Sequence, residues 1–467
     1  EGHAMSTVTV SDTPFVGSDR LLVGIVLSVL TFWLFAQSVI NVVPAMKSSL
    51  DISLETLTLA VSLSALFSGC FVVASGGLAD KFGRMRMTTL GLGLSIVGSA
   101  MLVVAQGPGL FLAGRVLQGL SAACIMPATL ALIKTWYEGR ARQRAVSFWV
   151  IGSWGGSGLC SFVGGAIATG LGWRWIFVFS IAVALLALFL LRGTPESRSA
   201  SASQHKLDVG GLLSLIAALV LVNLFISKGH GWGWSSPLSL TMLVGALAAG
   251  AVFIRNGMRK GEAALIDFAL FRNRAYGAAV LSNFLLNGAI GTMMIASIWL
   301  QQGHHLTPLE SGMMTLGYLV TVLAMIRVGE KLLQRYGARL PMMAGPVLTA
   351  IAIGLISCTF LDKALYIGVV FASNVLFGLG LGCYATPSTD TAVANAPENK
   401  IGVASGIYKM GSSLGGAMGI AVTASLFALF LPLGMAHAAQ YALWFNAVLC
   451  LGAMAVSALL LPRASHS

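Results

Sequence analysis

Gly76-Gly77-Leu78-Ala79-Asp80-Lys81-Phe82-Gly83-Arg84-Met85-Arg86-Met87 closes one long apolar stretch and opens the next. Adjacent glycines permit close helix contact or a tight exit, Asp80 can accept charge-assisted bonds, and Arg84 and Arg86 can pair with carboxylates or a helix terminus. At a membrane edge, such a loop can lock two helices in one arrangement. An ordinary charged turn is the alternative. The flanking runs, residues 57–77 and 87–106, each approach the roughly 20 apolar residues that cross a bilayer as a helix.

The same pattern extends in both directions. Apolar runs fall at residues 21–46, 110–134, 143–168, 173–191, 208–227 and 237–254, then at 276–300, 308–328, 340–360, 364–387, 401–430 and 440–461, making fourteen spans with the first two. These runs are about twice as long as a tilted barrel strand needs and lack strict alternation, so the fold class is an all-α integral membrane protein. Of 467 residues, 57% are hydrophobic and 9% charged, too few charges to coat soluble domains. A cytoplasmic enzyme and a nucleic-acid reader are excluded despite the net charge of +12. The six cysteines, Cys70, Cys124, Cys160, Cys358, Cys383 and Cys450, sit in or beside apolar spans without metal spacing, so no metal is expected.

Loop charges set the orientation. With the amino terminus in the cytoplasm, Lys47, Arg174, Lys228 and Lys363 lie on the far side, Arg115 and Lys409 fall inside spans, and the other 22 of the 28 basic residues face the cytoplasm. The positive-inside rule thus predicts an even span count with both termini cytoplasmic. Basic loops beside an anionic inner leaflet account for the net charge, with membrane lipids as partners and no nucleic acid. Glu1 to Ala4 read as a processing remnant ahead of a start at Met5, within a cytoplasmic tail of residues 1–20.

The opening stretch resembles the loop motif G-x-L-a-D-r-x-G-r of the major facilitator superfamily, through Gly76, Leu78, Ala79, Asp80, Gly83 and Arg84, with Lys81 where arginine is preferred. A second family motif resembles Leu112 to Ala123, LAGRVLQGLSAA. The fourteen spans resemble the drug:proton antiporter branch, and the chain from about residue 20 resembles its Nor-type multidrug and quinolone efflux pumps through Phe32 to Gln37, Gly152 to Gly158 and Ala385 to Thr391. This likeness implies a 6+2+6 arrangement in a bacterial cytoplasmic (inner) membrane. Residues 21–191 form one six-helix half, 192–207 a flexible cytoplasmic linker, and 208–254 two additional helices outside the functional pair. Residues 255–275 form a second linker, 276–461 the second half and 462–467 a tail. It further implies a monomeric secondary transporter, not an enzyme, which exports small amphiphilic drugs or metabolites against protons by alternating access. No cofactor beyond the proton gradient is needed, and no Walker loop appears.

Intramembrane charges are the candidates for coupling. Arg115 stays charged at working pH, so the expected role is to bias a nearby acid or water chain; structural pairing is the alternative. Glu330 and Asp390 are the carboxylates closest to spans in the second half. Asp390 follows Pro387, where a broken helix could expose it, and acts either in coupling or as a gate partner. Glu330 acts in coupling or, with Lys331, in a local gate network resembling the Gly76, Asp80, Gly83 and Arg84 gate.

Span one has no acid between Leu21 and Met46, which disfavours a dedicated dication binder. Gln37 and Asn41, four apart, predict one polar helix face, and Asn283 and Asn287 repeat the spacing. Phe32, Trp33, Phe35 and Trp149 would frame a cavity with them; interhelical bonding is the rival reading. Gly152, Gly156, Cys160 and Gly164, beside Gly165, predict a close-packing ladder on span five. The antiporter motif's Gly-Pro is absent there while Gly-Gly remains. An importer, a metabolite exporter and a non-transporting receptor or scaffold stay open as alternatives.

Overall fold

The computed structural model describes residues 15–199 and 206–463, and these are helix, turn and coil with no strand. Glu1 to Ala4, expected to be a processing remnant, and part of the first linker lie outside the described residues. In order, the helices are α1 (Asp19–Leu30), α2 (Val43–Ser49), α3 (Leu54–Phe82), α4 (Arg84–Val104), α5 (Pro108–Trp136), α6 (Gly139–Val150), α7 (Gly156–Gly170) and α8 (Arg174–Leu191). They continue as α9 (Val209–Trp232), α10 (Pro237–Lys260), α11 (Arg274–Asn287), α12 (Gly291–Ile298), α13 (Pro308–Met313), α14 (Leu316–Tyr336), α15 (Arg339–Ile356), α16 (Lys363–Ala394), α17 (Ile401–Phe430) and α18 (Met435–Leu460). Among the described residues, 13 spans are long and apolar enough to cross a membrane, or 14 when the bent α6–α7 segment counts as one. Helices are forced here because lipid offers backbone groups no hydrogen-bonding partner.

Several spans are not single α-helices. Span one passes from α1 through a π-turn at Thr31–Phe35 and a 3-10 stretch at Ala36–Val42 into α2. In a 3-10 helix residues i and i+3 share a side. Span five carries a second π-turn at Ile151–Gly155 between α6 and α7. By contrast, α16 runs unbroken through Pro387, correcting the expected break. Pro387 donates no hydrogen bond, which frees the Cys383 carbonyl four residues earlier. Helix α14 packs onto that spot through Gly329, where a Cβ would stand 2.9 Å from both the Gly382 and Cys383 carbonyl oxygens.

Helices α1, α3, α4, α5 and α8 pack on one another, as do α11, α14, α15, α16, α17 and α18. The groups meet where α17 crosses α3 and α5, and where α6 crosses α14 and α16. Helix α9 pairs with α10 and rests on both α3 and α17. The end of the molecule carrying the α3–α4 loop is called the basic end below.

The expected ladder on span five packs against span one. A Cβ on Gly152 would come 3.2 Å from Val26, one on Gly156 3.1 Å from Leu30 and Trp33, and one on Gly164 2.6 Å from Ser38, whereas Gly165 faces open space. Without a hydrophobic drive inside lipid, such close backbone approach is what holds helices together.

Asp208 anchors the α9–α10 pair. Its carboxylate accepts from the Gly211 N–H at 3.0 Å, Asn256 at 3.0 Å, Lys260 at 2.8 Å and the Leu265 N–H at 2.8 Å. Burial pushes this carboxyl up, but Lys260 and the other donors outweigh it and hold it down at about 2, just ahead of the span beginning at Val209. A depressed carboxyl stabilises the fold fully above its unfolded value of about 3.9 and loses that contribution as pH falls toward the folded value. Amide exchange at Gly211 and Leu265 is therefore expected to accelerate between about pH 4 and 2, and Asp208→Asn should remove that pH dependence. Equal pH profiles in both proteins would contradict the anchor.

Candidate functional site: the basic-end latch and the central tryptophan–lysine cluster

The α3–α4 loop bridges the two helix groups. Gly76 on α3 faces Gly402 on α17, and a Cβ on either would strike the carbonyl of the other. Asp80, one turn on and 1% exposed, accepts the Gly402 N–H at 2.8 Å and the Val403 N–H at 3.0 Å. These are the free amides of the α17 amino terminus, where a carboxylate is favoured by the helix dipole. Arg84 closes the set, donating to Asp80 at 2.7 Å and to the Glu398 carbonyl at 3.1 Å. Gly83 takes φ +125°, ending α3 and opening α4 in a conformation that side chains rarely adopt.

Two neighbouring segments cover this latch. Glu196, expected in a flexible connector, accepts the Met85 N–H at 2.9 Å and the Arg86 N–H at 3.0 Å, capping α4. Beside it the Arg84 N–H donates to the Ser197 carbonyl at 2.9 Å and the Ser199 N–H to the Asp80 carbonyl at 2.7 Å. From the other linker, Leu265 packs on Gly77 and Val403, while Lys400 donates to the Ala264 carbonyl at 3.2 Å. The α9–α10 pair is thus tied to the latch at both its ends, through chain that pure spacing logic treats as connector.

A second bridge joins α6 to α16. Arg142 donates to Asp390 at 2.9 Å, with side chains 19% and 5% exposed, and Lys134 donates to the Ala394 carbonyl at 2.8 Å. Asp390 therefore sits in a contact between the two groups. Glu330 sits one step aside, 3.0 Å from Arg327 on its own helix α14 and accepting from Gln334 at 3.3 Å. Arg327 also lies over the Phe148 ring of α6, 4.8 Å from its centroid. Gly329 packs within its own group onto α16, unlike Gly76, which crosses between groups.

Arg115 has no exposed surface, and its five donors meet neutral acceptors. They reach the Ala60 carbonyl at 3.0 Å, the Ala36 carbonyl at 2.7 Å, Gln118 at 2.6 Å, Ser64 at 2.6 Å and the Val61 carbonyl at 3.5 Å. Gln118 passes the chain to Ser99 at 3.3 Å. Among the described residues the guanidinium ties α5 to α3 and to the 3-10 stretch of span one, as the structural-pairing alternative has it. Arg115→Lys, which loses the planar fork, should forfeit at least two charged bonds at about 1.5–3 kcal/mol each. A markedly lower thermal unfolding temperature is expected; an unchanged one would refute this role.

The remaining candidates surround the middle of the molecule. Phe32 and Trp33 meet edge to face at 5.2 Å on the span-one π-turn, and π-turns recur at functional sites. Trp149 on α6 is buried and donates to Thr129 at 2.9 Å. Gln37 is half-buried; the side chain of Asn41 lies outside the described residues. Asn283 on α11 donates to the Tyr408 carbonyl at 3.2 Å and to Ser412 at 2.6 Å, and Asn287 donates to Asn283 at 2.9 Å. The two asparagines thus share a face and join α11 to α17.

Between the tryptophans stands Lys409 of α17, its Nζ 5.2 Å from the Trp149 ring and 5.8 Å from that of Trp33. Spacing places Lys409 inside a span without assigning it a role. Its signal was available: an ionisable group in mid-span is by default a functional candidate. An apolar groove of about 440 Å³ elsewhere, between Ile226, Trp234 and α17, presents one polar side chain, Ser425, and suits this chemistry less well.

Residues 21–260 and 275–467 match the Major Facilitator Superfamily. The chain belongs to the major facilitator superfamily. Its members are secondary active transporters rather than enzymes, and this one is a multi-pass protein of the bacterial inner membrane. It is 51% identical over 450 residues to the quinolone resistance protein NorB of Staphylococcus aureus strain MRSA252, covering 96% of this chain and 97% of that protein. NorB of strain COL is 50% identical with the same coverage. Among solved structures, the proton:xylose symporter XylE bound to 6-bromo-6-deoxy-D-glucose superposes with a TM-score of 0.67 at 16% identity, over 95% of this chain and 96% of that one. The human organic anion transporter MFSD10 gives 0.65 at 16% identity, over 94% and 98%. These two structures support the superfamily fold alone.

Proposed function

We propose that this chain exports amphiphilic drugs, quinolones among them, in exchange for protons by alternating access. The observation that carries the reading is 51% identity along nearly the whole length of NorB; the inter-group latch supplies its moving part. The arrangement is 6+2+6, with residues 21–191 and 276–461 as rocking halves and both termini cytoplasmic. The basic end is then the cytoplasmic end, closed by Asp80 with α17 and by Arg142 with Asp390. The monomer suffices.

The direction of coupling follows from the latch. Deprotonated Asp390 attracts Arg142 and keeps the cytoplasmic end shut, while protonation removes that attraction and favours opening inward. A proton taken from outside is thereby released to the cytoplasm, drug enters the cavity, and the restored ion pair favours the outward-open form. Asp80 and Glu330 bias the same equilibrium from their own positions.

The test is drug flux by purified protein in sealed proteoliposomes under imposed pH gradients. Uphill drug movement opposite to the proton gradient, reversed when the gradient is reversed, is expected. Asp390→Asn should retain drug binding and lose gradient-driven flux, with Glu330→Gln showing the smaller loss. Accumulation that ignores the gradient would overturn the coupling, and unchanged gradient-driven flux in both variants would overturn these carboxylates. Drug movement with the proton gradient would make the protein an importer.

A further inference from the structure

Among the described side chains, the middle of the molecule contains a cation and no acid. Outside the basic-end latch, every Asp and Glu lies in the amino-terminal segment, a loop, a short 3-10 turn, or at a helix cap or first turn. Asp80, Glu330 and Asp390 are each engaged by arginine. Arg115 is satisfied by neutral groups, whereas Lys409 has only two indole faces, and among the described residues no carboxylate pairs with it. Two indole faces attract this partly exposed ammonium but supply it with no anionic partner. The Trp33 indole N–H, shielded from solvent, likewise has no acceptor. Asn283 bonds to Tyr408 and Ser412 hold α17 in place on both sides of the lysine.

We infer that Lys409 is a specificity-determining residue which receives the carboxylate of a planar aromatic substrate, the ring system lying against Trp33 and Trp149. The ammonium then gains a charge-assisted bond, the Trp33 N–H gains an acceptor, and the substrate rings gain two aromatic walls. The cluster disfavours a lipophilic monocation, because its own fixed charge has the same sign and no acid among the described residues offsets it. This deepens the drug-export reading and rests on it.

The experiment is equilibrium binding to full-length protein in lipid nanodiscs, at one pH and with no gradient. The probes are a fluoroquinolone bearing its free carboxylate, its carboxamide analogue, and ethidium. Wild type should prefer the carboxylate at least about tenfold, the worth of one charged hydrogen bond. Lys409→Gln should erase that preference by weakening the carboxylate alone and should tighten ethidium; Lys409→Arg should restore most of the preference. Thermal unfolding of each variant checks that the fold is retained. No preference in wild type, a preference surviving in Lys409→Gln, or equal weakening of carboxylate and carboxamide overturns the assignment. Because no gradient is applied, a failure of proton coupling or of export direction in proteoliposomes leaves these outcomes intact.

Discussion

Gly402→Val is expected to reduce drug flux by about a hundredfold or more while the protein still inserts in the membrane. An added Cβ would strike the Gly76 carbonyl and stand 2.7 Å from Asp80 Oδ1. The carbonyl belongs to helix backbone and cannot turn away, so α17 must separate from α3. Separation also strands the Gly402 and Val403 amides that bind Asp80 at 2.8 and 3.0 Å. Two charged bonds at about 1.5–3 kcal/mol each correspond to at least a hundredfold shift in the closed population. Gly76→Val should behave alike from the other side. Gly165→Ala, whose Cβ meets open space, is the control and should transport normally. Flux measured in vesicles at matched protein density decides the matter, and near-normal flux by Gly402→Val would show that the crossing need not close.

Asp80→Ala should be nearly as damaging, with a different signature. Arg84 is 3% exposed and would be left as a buried charge without its partner, a situation that costs about 3–5 kcal/mol. The double variant Asp80→Ala/Arg84→Ala should regain much of the lost thermal stability, because no charge is stranded. It should not regain transport, since the α17 amides remain untied. Equal thermal stability in the single and double variants would contradict a coupled pair.

The parts legible in sequence were those carried by local pattern. Apolar run length yields the spans, and the Gly76 to Met87 stretch stands out because its glycines, acid and arginines lie within a few residues of one another. The four-residue spacing of Asn283 and Asn287 survives because α11 is a regular helix there. The π and 3-10 geometry of span one, by contrast, is left unmarked by composition.

Distant pairings were beyond reach for a simpler reason. Arg142 lies 248 residues from Asp390, and nothing near either position names the other. Glu196 looks like loop because its partners are backbone amides of α4, which have no sequence signature. The partners of Arg115 on neighbouring spans are carbonyls and a hydroxyl, which carry no sequence signature. Lys409 stood in plain view, but its meaning depends on two tryptophans from other helices.

The central claim is that the basic-end latch is a gate which opens during transport. Spin labels at Phe82 and Arg335, exposed side chains of α3 and α14 at this end, report the separation of the two groups by pulsed electron resonance in lipid nanodiscs. Wild type should show one short distance, and Asp390→Asn, which removes the ion pair with Arg142, should add a longer population. A single distance unchanged by Asp390→Asn would contradict the account.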